Sequence, residues 1–342
     1  MKTIMKTAAL SAAIAASSFG TTQAMAADYT LRFAHFFPAV ADVSKDVFQE
    51  WAKTVEEESN GRIAVEMYPS STLAKPPALY DSTVNGIADM AATVQGYTAN
   101  RFPLTQIVEL PGVVKTAEQG SCVIQSLFDE GLIADEYKDT KPLFLFTHGQ
   151  GHFHLKDTVV EKPSDLAGKR IRRPTSVVAN LLEELEAQPV GMPAPESYQS
   201  MQRGVIDGVA LPWEGMKSFR LNELANTHTE IGGLYSLSFV VTMNTRVYNS
   251  MPDDLKKVID DNSGMKWAEK TGLVFDALDE AGRKDAVDAG HTIVTIEGGG
   301  ENPDWKPVLD AATESYLSEL EEKGLPARDV YARTMELATS CQ

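Results

Sequence analysis

Asp165-Leu-Ala-Gly-Lys-Arg170-Ile-Arg172-Arg-Pro174 begins a stretch that closes with Glu196-Ser-Tyr198-Gln-Ser-Met-Gln202-Arg-Gly204-Val-Ile-Asp207-Gly208. Gly168–Arg172 reads as a short strand, Val177–Glu186 as a helix, Pro189-Val190 as the next extended piece and Glu196–Arg203 as a second helix. Val209–Leu211 supplies another strand. Strands separated by helices pair in parallel, and open parallel sheets bind ligands beyond the carboxyl ends of their strands. An arginine at such a strand end, beside two helix entries, makes a pocket for a small carboxylate.

The same alternation extends in both directions. Tyr29, Leu31 and Phe33 alternate with polar residues as a strand; Val43, Val47, Trp51 and Val55 put one apolar stripe on a helix; Ile63, Val65 and Met67 form a second strand. A helix over Ala78–Asn85 and an apolar run over Ile87–Val94 complete β-α-β-α-β. Leu143–Phe146 is apolar on both faces, as a covered strand should be, and Ser236–Met243 reads as a strand crossing back to the first half. Asp253–Asp288 is helical in pattern, with Gly264, Gly272 and Gly282 as candidate bends. His291–Ile296 is a late strand, and Trp305–Glu322 and Arg328–Ala338 are terminal helices.

Lys2 and Lys6, the small apolar run Ala8–Gly20 and Ala24-Met25-Ala26 have the layout of a cleaved export signal over residues 1–26. Of 342 residues, removing those 26 leaves 316, more than one comfortable core and enough for two lobes. Without the two leader lysines the formal charge goes from −17 to −19, a balance that disfavours nucleic acid and anionic membrane as partners. No later run is apolar enough to insert in a bilayer. Cys122 and Cys341 are the only cysteines; an oxidising compartment permits a bridge, but spacing leaves open whether they meet.

Several of these pieces resemble one family in order and spacing: the solute-binding proteins of tripartite ATP-independent periplasmic (TRAP) transporters, of the C4-dicarboxylate (DctP) type. The resemblance runs through Phe33-Ala34-His35, Asn60-Gly61-Arg62, Gly86-Ile87-Ala88-Asp89, the Asp165–Arg172 block, Glu196-x-Tyr198, Gly204-Val205-x-Asp207-Gly208 and Asn244. It implies an α/β fold, a two-lobe periplasmic-binding-protein clamshell, each lobe a mostly parallel sheet flanked by helices, with a long helix spanning both. The expected division is residues 27–149 with 236–284 in the first lobe, and 150–235 with 285–342 in the second. It further implies a periplasmic receptor that captures a small organic acid for a sodium-coupled membrane permease, with Arg172 gripping the carboxylate.

Two departures limit what is carried over. The neighbourhood where the family tends to place a second arginine reads Gly151-His152-Phe153-His154, and the Asn that often follows the Asp-Gly signature is replaced by Val209-Ala-Leu211-Pro212-Trp213-Glu214. One retained arginine and nearby rings favour a monocarboxylate with an apolar or aromatic body over a dicarboxylate or sialic acid. Arg172, Trp213, Phe37, Glu214, His152, Phe153, Tyr97 and His35 are the candidate binding residues. A planar guanidinium matches a carboxylate bidentately, rings supply apolar walls, and Glu214 suits a hydroxyl or amine.

A neutral histidine among His148, His152 and His154 is expected to donate to the ligand, with binding sensitive to pH near 6.5. These residues lack the spacing of a zinc site, and Gly298-Gly299-Gly300 lacks the context of a phosphate loop, so no metal and no cofactor are expected. The competing reading is a periplasmic hydrolase or isomerase pairing Glu214 with a histidine; no nucleophile elbow supports it. A sensory module for a surface receptor is a third. The receptor is expected to act as a monomer.

Overall fold

A computed structural model describes residues 27–341; the expected leader lies outside them. Among the described residues eleven strands run β1 (Tyr29–His35), β2 (Ile63–Tyr68), β3 (Met90–Val94), β4 (Lys141–Thr147), β5 (His152–Leu155), β6 (Arg170–Arg173), β7 (Gln188–Gly191), β8 (Gly208–Leu211), β9 (Thr227–Glu230), β10 (Ser238–Met243) and β11 (Thr292–Thr295). The helices are α1 (Glu50–Glu58), α2 (Leu79–Val84), α3 (Ala117–Asp129), α4 (Ser176–Glu184), α5 (Ser197–Gln202) and α6 (Trp213–Ser218) in the first two-thirds of the chain. There follow α7 (Thr245–Ser250), α8 (Asp253–Asp261), α9 (Met265–Asp288), α10 (Lys306–Glu322) and α11 (Ala327–Ser340).

Two mixed sheets result, ordered β2-β1-β3-β10-β4 and β11-β9-β5-β8-β6-β7. In each, one strand runs against its neighbours: β10 is antiparallel to β3 and β4, and β5 to β8 and β9. Both reversed strands have just crossed between lobes. The chain leaves one sheet at a strand's carboxyl end, facing the cleft, and must enter the other sheet heading away from it. The carboxyl ends of β1, β3, β4, β6 and β8 therefore face the amino ends of β5 and β10, and the site lies where these ends meet. The two crossings run side by side, with Gly151 N donating to Tyr235 O at 2.8 Å and Ser236 Oγ to His148 O at 2.7 Å. β5, β9, α3 and α6 are the elements whose periodicity the sequence showed least; the strands among them are four residues long and covered on both faces.

The stripe Val43, Val47, Trp51 and Val55 is fully buried although its spacing is four residues, not 3.6. A π-helical turn over Ser44–Gln49 precedes α1, and its wider winding keeps that spacing on one face. The expected helix Asp253–Asp288 is broken at Asn262–Gly264. Gly264 adopts φ +67°, ψ −152°, open to glycine alone, and its N–H donates to Leu143 O at 2.6 Å. Asn262 pins the break by accepting from the buried indoles of Trp51 (2.9 Å, at its backbone O) and Trp267 (3.1 Å, at Oδ1).

Gly272 and Gly282 are not bends but places where α9 lies backbone to backbone on its neighbours. A Cβ on Gly272 would sit 2.5 Å from Glu118 Cα, and one on Gly282 2.3 Å from Trp213 O. Between them Asp276 accepts from Ala117 N and Glu118 N at the start of α3, at 2.6 and 3.0 Å, and Asp279 accepts from Glu214 N at the start of α6 at 2.6 Å. Thus α9 caps one helix from each lobe, placing a carboxylate at each helix N-terminus where orphan N–H groups need an acceptor. The terminal helices touch both lobes. Tyr316 of α10 donates to Pro103 O at 2.9 Å, and Cys341 after α11 is disulfide-bonded to Cys122 of α3.

Candidate functional site

Arg172, at the end of β6, has no exposed surface, and among the described residues no carboxylate lies within 4 Å of it. That is costly for a guanidinium unless something anionic completes it. Nε donates to Met192 O, Nη1 to Ala210 O and Nη2 to the Tyr97 hydroxyl, each at 3.0 Å. Three of the five N–H bonds are thereby used, leaving one on each terminal nitrogen, the pair a carboxylate takes bidentately. Tyr97 follows β3 in the first lobe, so its bond to Arg172 crosses the cleft. Its oxygen also accepts from Ala194 N at 3.0 Å. Arg170, two residues earlier, is spent on structure: it is paired with Asp207 and donates to Gly204 O at 2.7 Å.

Rings from both lobes meet beside this guanidinium. Phe36 and Phe37 stack at 4.4 Å between centroids; Phe219, from the end of α6, stacks over both at 6.4 and 6.0 Å, and Phe239 of β10 stacks on Phe37 at 6.4 Å. Tyr97 lies edge-on to Phe36 at 5.6 Å. They line a cavity of about 20 Å³, room for roughly one water molecule, together with Val94, His148, Arg172, Leu211 and Glu214.

Of the residues singled out from sequence, the cavity brings together Arg172, Tyr97, Phe37 and Glu214. The others lie elsewhere. Trp213 turns away, its ring packed 4.8 Å from His154 and 4.7 Å from His228, and its indole donates to Glu230 at 3.0 Å. His152 stands beside it and faces a separate surface groove with Lys115 and Arg283. Phe153, on the opposite face of β5, is core against Trp305. His35 is buried against Phe33 and Phe48. Phe219 and Phe239 carried no sequence signal of their own, since one ends a helix and the other belongs to a strand buried along its whole length. Pro212, which cannot continue β8, starts α6 at once, and seven residues later the end of that helix delivers Phe219.

Burial sets the charges. It pushes the Glu214 carboxyl up to about 7, and that carboxyl's hydrogen bond is to the Ser218 hydroxyl, not to a histidine. It pulls His148 down to about 3 and His152 to about 4, so neither changes charge near 6.5 as expected from sequence. His154 donates from Nε2 to Leu211 O at 3.0 Å and meets His228 at 2.8 Å, which in turn meets His291 at 2.9 Å. This imidazole chain braces the back of β8.

Residues 33–318 match the family described as bacterial extracellular solute-binding protein, family 7 (DctP). The chain belongs to that family. Its fold is that of the TRAP periplasmic binding proteins, and such proteins are receptors, not enzymes, that work with membrane permease subunits. A marine metagenome TRAP solute-binding protein specific for aromatic acid ligands, solved with metahydroxyphenylacetate, is 37% identical, with a TM-score of 0.89 over 92% of this chain and 99% of that one. One from Rhodoferax ferrireducens, solved with copurified benzoate, is 36% identical, with a TM-score of 0.87 over 91% and 98%. The C4-dicarboxylate-binding periplasmic protein DctP of Rhodobacter capsulatus is 26% identical over 88% of this chain and 90% of its own length. No helix among the described residues is long and apolar enough to cross a membrane.

Proposed function

We propose that this receptor captures an aromatic monocarboxylate in the periplasm and presents it, as a monomer exported through a cleaved leader over residues 1–26, to a TRAP permease. The observation that carries the reading is the buried Arg172 guanidinium, without a carboxylate partner among the described residues, set against stacked rings from both lobes. The carboxylate takes the two remaining N–H bonds of Arg172, and Tyr97 orients the guanidinium from the facing lobe. The cavity as it stands has room for about one water, so the ligand enters as the lobes part, with Phe36, Phe37, Phe219 and Phe239 separating to take its ring. Burying a flat apolar body between aromatic faces stabilises the complex, and contacts from both lobes favour closure. Glu214 lies at the cavity wall. The aromatic acids bound by the marine and Rhodoferax relatives support the same ligand class.

The deciding experiment is titration calorimetry with benzoate on the wild-type protein and on Arg172→Met. A buried charge pair broken on one side costs about 2–5 kcal/mol, so the variant should bind at least about 30-fold more weakly while retaining its circular dichroism spectrum. Equal affinity in the two proteins would remove Arg172 from the site. Binding of succinate in preference to benzoate by the wild type would remove the aromatic reading.

A further inference from the structure

His148 closes the end of β4, lines the cavity and is 2% exposed. Its Nδ1 lies 2.6 Å from Gly149 O, a group that can only accept, so Nδ1 carries the proton. The nearby Ser236 hydroxyl, 3.5 Å from Nδ1, spends its own proton on His148 O at 2.7 Å and offers that nitrogen only a lone pair. The tautomer is therefore determined by its neighbours: in a neutral ring Nε2 is left as an acceptor. Nε2 is buried and, among the described residues, has no hydrogen-bond partner. A buried acceptor without a donor costs free energy, and here it belongs to a residue of the same cavity wall as Arg172.

We propose that Nε2 of His148 accepts a hydrogen bond from a hydroxyl group carried by the ligand, so that the site selects hydroxylated aromatic acids over unsubstituted ones. This rests on the reading that an aromatic carboxylate is seated on Arg172. The role is the reverse of the donor expected from sequence, because the loop carbonyl of Gly149 takes the only proton of the ring. Glu214, another acceptor on the wall, takes the Ser218 proton at Oε1. A ligand hydroxyl satisfies an otherwise stranded nitrogen, whereas an ether oxygen of similar size brings a second lone pair and repels it. Sites built around a buried polar atom discriminate most strongly against analogues that cannot pair with it.

The test is calorimetry with benzoate, the meta and para hydroxybenzoates and the corresponding methoxybenzoates, on wild type, His148→Asn and His148→Gln. Asn places an N–H near the position of Nδ1, preserving the bond to Gly149 O, and has nothing at Nε2; Gln can present an amide oxygen there. In the wild type one hydroxybenzoate should bind about tenfold tighter than benzoate, and its methoxy analogue no tighter than benzoate. In the Asn variant the ratio of hydroxybenzoate to benzoate affinity should fall from about ten to about one, whatever its absolute affinity for benzoate; Gln should restore part of that ratio. An advantage that survives in Asn, or benzoate bound as tightly as every hydroxybenzoate by the wild type, overturns the proposal and leaves the aromatic reading standing. Failure of the wild type to bind any of these acids overturns both.

Discussion

Replacing Tyr97 by Phe removes one oxygen and strands two donors, Nη2 of Arg172 and the backbone N–H of Ala194. The ring stays, so packing against Phe36 is unchanged. Each buried donor left unpaired costs about 1–3 kcal/mol, and the first of them belongs to the group that grips the ligand. Benzoate affinity should fall about tenfold in Tyr97→Phe, with a thermal midpoint lowered by only a few degrees. An unchanged affinity would mean that Arg172 needs no orientation from the facing lobe. Arg172 was pointed to by the strand-end rule and the family resemblance; strand alternation sets aside Arg173 but leaves Arg170 on the same face. The direction of the His148 hydrogen bond was not legible from sequence, since it depends on where a loop carbonyl turns. Nor were Phe219 and Phe239, which stand 182 and 202 residues from Phe37 and meet it only in the folded chain.

At the scale of elements, α9 carries the most unusual constraint, because both lobes rest on its backbone. Its 24 residues contact α3 through Gly272 and Asp276 and α6 through Asp279 and Gly282. Exchanging a helix glycine for alanine normally gains close to 1 kcal/mol from propensity. In Gly282→Ala that gain is outweighed, because the methyl group would meet the backbone of Trp213, which cannot rotate away. Net destabilisation of about 1–3 kcal/mol is expected, read as a lower urea midpoint, together with weaker binding as α6 moves Glu214 and Phe219. A midpoint equal to or above wild type would show that the helices are free to separate. The sequence displayed these glycines plainly, and local rules read them as bends. Only the neighbouring backbone, supplied by residues 60 and more positions away, distinguishes a bend from a close approach. The parallel strand–helix alternation was legible for the opposite reason, since its periodicity is local.

For the whole molecule, pH dependence follows from which buried groups the fold keeps neutral. His35, His148, His152 and His228 are pulled down by burial to about 4, 3, 4 and 3, and His154 lies well below its usual value for the same cause. Between about pH 4 and 6.5 the unfolded chain binds a proton at each of these rings that the folded chain refuses, so stability rises with pH. Burial acts in the other direction on Glu109 and Glu214, both pushed up to about 7, and on Asp279, raised well above the carboxylate range. Between about pH 4.5 and 7 the fold retains protons on these acids that the unfolded chain has released, so their contribution falls as pH rises. Glu136 and Asp276 are raised by burial as well, so five rings oppose five acids and much of the dependence between pH 5 and 6.5 cancels. Glu109 supplies an internal check. It accepts from Ser238 and from Thr175 of the second lobe, at 2.6 and 2.9 Å, and replacing it by Gln removes one opposing titration. Urea midpoints of wild type and Glu109→Gln at pH 5, 6.5 and 8 should show a steeper rise from 5 to 6.5 in the variant. A change from pH 5 to 6.5 that is the same in the variant as in wild type would mean that the fold does not hold Glu109 protonated.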